Sequence, residues 1–543
     1  MNRLAILTVL AVFFLSSCSK SDSKNTGTST LSSIATSGKI VDIRAFNIVG
    51  NGRADDTLNF QAALDSANPG DEIPLLGLTI SITQPAVLRK NNLTLRGPGT
   101  IRITGVGKFF ALHIESQAVT VKDLKIENPS KFSVDFVRNG CPQGDLAENH
   151  TGGILIKANY AQIINNTLDG LVTAISAVPT TATPSFASIL NNTITNLLGT
   201  NAECDGGDGI HLEAKNSLVH GNRIQQNPTE ASANGISVIG SGSFANQISR
   251  NKISGDFNRS ILVDNGVPVN TTPATAGFHQ VVLNEIDGSG IEVKNATETT
   301  LSGNTLILAP YVASSFSSGI LVNQAPFTIV HRNFLRFNSN LVWEAAIRVS
   351  QSSETRVDSN EIERDAGVTT DFLVSNAIFS SASDMAQIEK NNIRARISEV
   401  GIRLNGGDKV FVRKNSIRDT QDFLIHVMGS NNATLADNLL IKSPNGINVQ
   451  NSNDLLVIGN TLQQLENLGD GISLTNSNNA FMRANSIEVP KCGINNTGTG
   501  SMDLRIYSNI IRFKQSAGAG GFCGTRPPVN AAYATENTFT AVP

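Results

Sequence analysis

A chain of 543 residues with 16% charged side chains and a formal net charge of −3 offers no basic surface for a nucleic-acid backbone or an anionic membrane. Its five cysteines lack the close pairing of a structural zinc site. The length would allow several ordinary domains, but a repeat array can form one long unit.

Residues 1–17 read as an export signal, in which Arg3 precedes the apolar run LAILTVLAVFFL, short for a bilayer span. The run ends in Leu15-Ser16-Ser17-Cys18. These four residues resemble a bacterial lipobox, which implies lipidation of Cys18 and membrane attachment through that lipid. Ser19, in place of Asp, implies sorting to the outer membrane or cell surface. Residues 18–39 are rich in Ser and Thr and read as a flexible tether. In an oxidising compartment the four remaining cysteines have three ways to pair. The favoured pairing is Cys492–Cys523, as a C-terminal staple, with Cys141–Cys204 between two long loops.

Within residues 40–103 stand Asp42, Gly50-Asn51-Gly52, Asp55-Asp56-Thr57, Gln61-Ala62-Ala63 and Asp65-Ser66-Ala67. This series resembles the N-terminal segment of the pectate lyase superfamily, of the rhamnogalacturonase/epimerase-like sort, with Asn51 where Asp is usual. The resemblance extends to about residue 513 and implies a right-handed parallel β-helix. Read physically, Asp55, Asp56 or Thr57 caps a short helix. Leu58, Ala62 and Leu64 are expected to face the open end of the solenoid, since terminal units need covering.

From residue 104 to 513 the chain repeats. Between Gly290 and Ile487 an isoleucine opens each of eight consecutive units and an asparagine follows thirteen positions later, as in Ile291/Asn304, Ile320/Asn333, Ile402/Asn415 and Ile472/Asn485. Segments such as GIEVK, GILVN and GIRLN alternate apolar with polar residues, which is strand periodicity. The expected fold is all-β: a parallel β-helix with an N-terminal capping helix, residues 514–543 forming the C-terminal cap. Asn sits at a bend, where it tolerates the left-handed conformation, and its amide can bond to the asparagine of the next rung. One ladder is expected from Asn166 through Asn192, Asn222, Asn251 and Asn284 to Asn509. A monomer is expected.

Three insertions interrupt the array. Residues 127–152 carry Asp135, Arg138, Asp145, Glu148 and His150; residues 195–208 carry Glu203, Cys204, Asp205 and Asp208; the third lies between Val263 and Gln280. Loops on a rigid scaffold are where binding chemistry usually sits. Residues one and three after each isoleucine point outward, which puts Lys157, Glu213, Asp264 and Lys294 in one column, with His211 and Glu292 beside it. Two rungs of about 4.8 Å separate Glu213 and Asp264 by about 10 Å. That lies just outside the ~6.5–9.5 Å window of an inverting glycosidase pair.

Two classes of function fit. As a glycan-acting enzyme, the protein would be a polysaccharide lyase or a glycoside hydrolase working on an acidic or neutral extracellular polysaccharide. A lyase would take Lys157, His211 or Lys294 as base, with Asp205 and Asp208 holding Ca²⁺. A hydrolase would use Glu213 or Asp208 as acid and Asp264 as base. Glu292, Lys294 and Arg259 are the substrate-binding candidates. Alternatively, the grooved face binds a glycan or protein partner without catalysis, and its charges are a solvated ion-pair ladder. His279, His331 and His426 are expected to be structural or exposed. Motifs do not decide between the classes. A polygalacturonase-like series is incomplete, because Gly207-Asp208-Gly209 half matches, Val219-His220-Gly221 matches poorly, and Asn251 of Arg250-Asn251-Lys252 belongs to the bend. An Asp-Pro-His-Glu signature like that of alginate epimerases is absent.

Overall fold

An inward isoleucine and a buried asparagine recur in each repeat, and the short strands of successive repeats stack in parallel. The computed structural model describes residues 38–542 apart from 106–108, 131–150, 180–182, 199–206, 227–231, 256, 267–276, 310–317, 339–342, 366–373, 395–397, 467–468, 498–503, 515–519 and 525–535. The isoleucines lie in register in one sheet, from Ile154 through Ile175, Ile210, Ile236, Ile261 and Ile291 to Ile320. A second sheet aligns Ile163, Ile189, Val219 and Ile248. A third aligns Leu168, Ile194, Ile224 and Ile253. The result is a right-handed parallel β-helix. All of these inward side chains are fully buried, so each rung closes the core of the next.

The asparagine ladder is continuous. Asn192 illustrates it: its Nδ2 donates to Asn222 Oδ1 at 3.0 Å and to the Ile163 carbonyl at 2.9 Å, while its Oδ1 accepts from Asn166 N and Nδ2. Each amide is thereby saturated, which is how a buried polar column is tolerated. Two details differ from expectation. The ladder does not end at Asn509, because Asn509 N and Nδ2 both donate to Asn537 Oδ1. The left-handed position is not the ladder asparagine but the residue before it, such as Asn165, Asn191, Arg250, Leu283 and Lys414, with φ of 53–58°. Here the neighbouring rung over-determines the bend, since Asn165 N donates to Leu190 O and Arg250 N to Val282 O.

Near the N-terminus, a helix spans Thr57–Ser66 and contacts the first strands. Asp56 stands at its N-cap but turns its carboxylate to Val49 N and Gly50 N, while Asp55 accepts from Thr57 N. The buried face comprises Thr57, Phe60, Ala63 and Leu64, the last as expected; Leu58 is 82% exposed and Ala62 also faces solvent, contrary to expectation. The heavier Phe60 takes the inward position and fixes the helix rotation. Strand pairing continues beyond residue 513, with Gly520–Gly524 on Cys492–Thr497 and Thr538–Val542 on Ile510–Lys514. Cys492 and Cys523 form the expected disulfide between neighbouring strands. Cys18, Cys141, Cys204 and Asp205 lie outside the described residues, as do Asp135, Arg138, Asp145, Glu148, His150 and Glu203.

Candidate functional site

Asp208-Gly209-Ile210-His211 turns the chain into the isoleucine sheet. Ile210 points into the core, and a Cβ on Gly209 would stand 2.5 Å from the Gly235 carbonyl oxygen, so only glycine fits this close approach. The corner brings Asp208 and His211 together on the outer face. His211 Nδ1 is 3.0 Å from Asp208 Oδ2 and 3.0 Å from Ser237 Oγ, and its Nε2 is 3.4 Å from Glu213 Oε1. Asp208 is 1% exposed and is fixed by the next rung: Asn234 Nδ2 donates to Oδ1 at 3.0 Å, and Ser237 Oγ donates to Oδ2.

Burial opposes charge on the His211 imidazole, but the hydrogen bonds and negative charges of Asp208 and Glu213 outweigh it and raise its pKa from 6.5 to about 9. At neutral pH both ring nitrogens therefore carry protons, one for each carboxylate. The two acids differ in access, since the Asp208 side chain is 2% exposed and that of Glu213 is 36% exposed. Glu213 and His211 can meet a bound molecule, whereas Asp208 holds the imidazole.

The other expected residues divide. Asp264 and Lys294 are paired in register and form an ion pair at 3.4 Å, and Asp264 also accepts from Asn295 Nδ2 at 3.0 Å and Gly266 N at 2.8 Å. The rung of Ile239 separates Asp264 from that of Glu213. Lys157 follows Ile156, which aligns with Ala177 and Leu212, so it heads the same column two rungs before Glu213. Arg259 and Glu292 pair with each other, and Glu292 is buried rather than solvated. A Ca²⁺ ion does not suit Asp208, because a protonated imidazole stands beside the oxygen that would bind it. Among the described residues no cluster of three His, Cys, Asp or Glu could hold a metal. His279 is structural: fully buried, it accepts from Asn246 N, and burial lowers its imidazole to about 4. His331 is not isolated, since Nδ1 lies 2.9 Å from Asp358.

Ser237 and Asn234 were not expected in the site. Ser237 sits one residue after Ile236 in the His211 column, and Asn234 sits two before it, as Asp208 does before Ile210. That second outward position was the signal available in the sequence. Ser176, directly before His211 in register, is buried with an unpartnered hydroxyl.

The family model for the right handed beta helix region matches residues 152–335 and 345–511. No match was found among curated proteins. Among solved structures, the chain is similar to DFA-IIIase from Arthrobacter chlorophenolicus A6 in complex with GF2, with a TM-score of 0.49 and 12% identity, covering 67% of this chain and 96% of that one. It is also similar to the catalytic unit of the GH87 alpha-1,3-glucanase from Streptomyces thermodiastaticus strain HF3-3, with a TM-score of 0.35 and 12% identity over 92% of this chain and 67% of that one. Pre-mature bacteriophage phi29 gene product 12 matches with a TM-score of 0.47 and 12% identity, over 87% and 68% respectively.

Proposed function

The chain belongs to the right-handed β-helix family, and on that scaffold we propose that the Asp208–His211–Glu213 face acts on an extracellular polysaccharide as a glycoside hydrolase. The observation that carries this reading is the imidazole shared between a buried and an accessible carboxylate. A lyase base must be unprotonated at working pH, and an imidazole raised to about 9 is not. Lys294 is likewise engaged as a cation by Asp264. Hydrolysis suits the protonated state better. His211 supplies a proton to the leaving oxygen, Glu213 activates water or stabilises the positive charge that develops on the sugar, and Asp208 keeps the ring oriented.

A non-catalytic glycan-binding surface is the second reading. It is favoured by the saturation of Asp208 and Asp264, whose oxygens are all engaged within the protein. Incubation with a panel of neutral and uronic-acid polysaccharides separates the readings. New reducing ends without unsaturated product are expected for the hydrolase. Unsaturated ends would establish a lyase, and binding without either product would establish the second reading.

The anchor belongs to the same proposal. Cys18→Ala is expected to move the protein from the membrane pellet to the soluble fraction, because the lipid is the attachment implied by Leu15-Ser16-Ser17-Cys18. Retention in the pellet would mean that the apolar segment itself stays in the membrane.

A further inference from the structure

The column that holds His211 continues along the same sheet through Ser237, Leu262, Glu292 and Leu321 to Arg348, Phe379, Arg403 and His426. Its downstream members are basic and aromatic. The Arg348 and Arg403 guanidinium carbons lie 5.5 and 5.8 Å from the Phe379 ring centroid, so one aromatic ring on the rung between them steadies both cations. Arg348 also pairs with Glu344. Arg403 has no carboxylate in ion-pair range among the described residues. The Nε atoms of Arg348 and Arg403 and Nε2 of His426 are all buried without a hydrogen-bond partner. Three orphaned nitrogens within four successive rungs are costly unless something binds there.

We propose that Arg348, Arg403 and His426 form a second binding site, which holds the carboxylates of an acidic polysaccharide lying along the solenoid axis. The cations recur on alternate rungs, about 10 Å apart. A guanidinium offers several donors in a fixed fork that matches a carboxylate. A polymer with repeating charge suits a column with repeating cations, whereas a single small anion would engage one of them. The acids of these rungs, Glu344, Glu399 and Asp422, stand three residues before their isoleucines, toward the strand starts. Of these, Glu344 is committed to Arg348, and Asp422 accepts from Asn445 at 3.0 Å. Burial and the Arg403 charge hold the His426 imidazole below its usual range, so it contributes a neutral ring at physiological pH. The site does not depend on chemistry at His211.

Titration calorimetry with oligogalacturonates, the same chains after reduction of their carboxyls, and a sulfated glycan tests the proposal. Arg403→Gln is expected to weaken oligogalacturonate binding about tenfold, the loss of one charge-assisted hydrogen bond. Arg348→Gln should act in the same direction, and Arg403→Lys should retain most of the affinity. The loss caused by Arg403→Gln should be of the same size in the wild type and in a Glu213→Gln background, which keeps this result separate from the hydrolase reading. Three results would each overturn the proposal: equal affinity in Arg403→Gln and wild type, equal affinity for charged and reduced chains, or binding of the sulfated glycan alone.

Discussion

Ile402→Asp is expected to unfold the solenoid locally and lower the thermal midpoint sharply. Ile402 is fully buried and lies in register between Ile378 and Ile425. The substitution forfeits about 1.5–3 kcal/mol of apolar burial. It also places an unpaired carboxylate in the core at a cost of several kcal/mol more. Each rung contacts only its neighbours, so the damage should concentrate around residues 378–425 and appear there as new protease cleavage. An unchanged midpoint would contradict the inward orientation of the repeat isoleucines.

The second large effect concerns chemistry. Glu213→Gln is expected to lower turnover by about 10²–10⁴-fold, the usual contribution of a positioned acid–base group. In the wild type, the rate should fall as pH rises through about 9, where His211 loses its proton. The same shift gives the sign of its linkage to stability. The folded pKa lies above the unfolded value of 6.5, so the stabilisation is complete below about 6.5 and is lost as pH rises through about 9. His279 works oppositely, since its folded value of about 4 lies below the unfolded one. Stability linked to His279 is therefore present above about 6.5 and lost as pH falls through about 4. A His211→Asn variant that keeps the alkaline limb of the rate profile would remove His211 from the mechanism.

The repeat was legible because its two fixed residues have separate physical tasks. Ile fills the core, and Asn saturates the buried bend, so the stacking of the rungs between Gly290 and Ile487 could be read from their spacing. The ladder's last step to Asn537 was hidden because the segment around it lacks the opening Gly-Ile. On the helix, Leu64 faces inward as its pattern implies, whereas Leu58 and Ala62 face solvent because the bulk of Phe60 sets the rotation. At the site, the outward column anticipated the register of His211 with Ser237, Leu262 and Glu292, and of Asp264 with Lys294. What spacing could not reveal was pairing across the corner. Asn234 and Ser237 come from the next rung, and only the close approach at Gly209 lets Asp208 reach His211 and the next rung together.

The most direct measurement is activity of the combined Asp208→Asn, His211→Asn and Glu213→Gln variant on whichever polysaccharide the wild type cleaves, with its thermal midpoint recorded alongside. The account predicts loss of new reducing ends to background. It also predicts a folded protein with a lowered midpoint, because the changes remove the hydrogen bonds of Asp208 and His211 but leave the isoleucine core and asparagine ladder intact. Full retention of cleavage by a folded triple variant would contradict it and place the chemistry elsewhere on the solenoid.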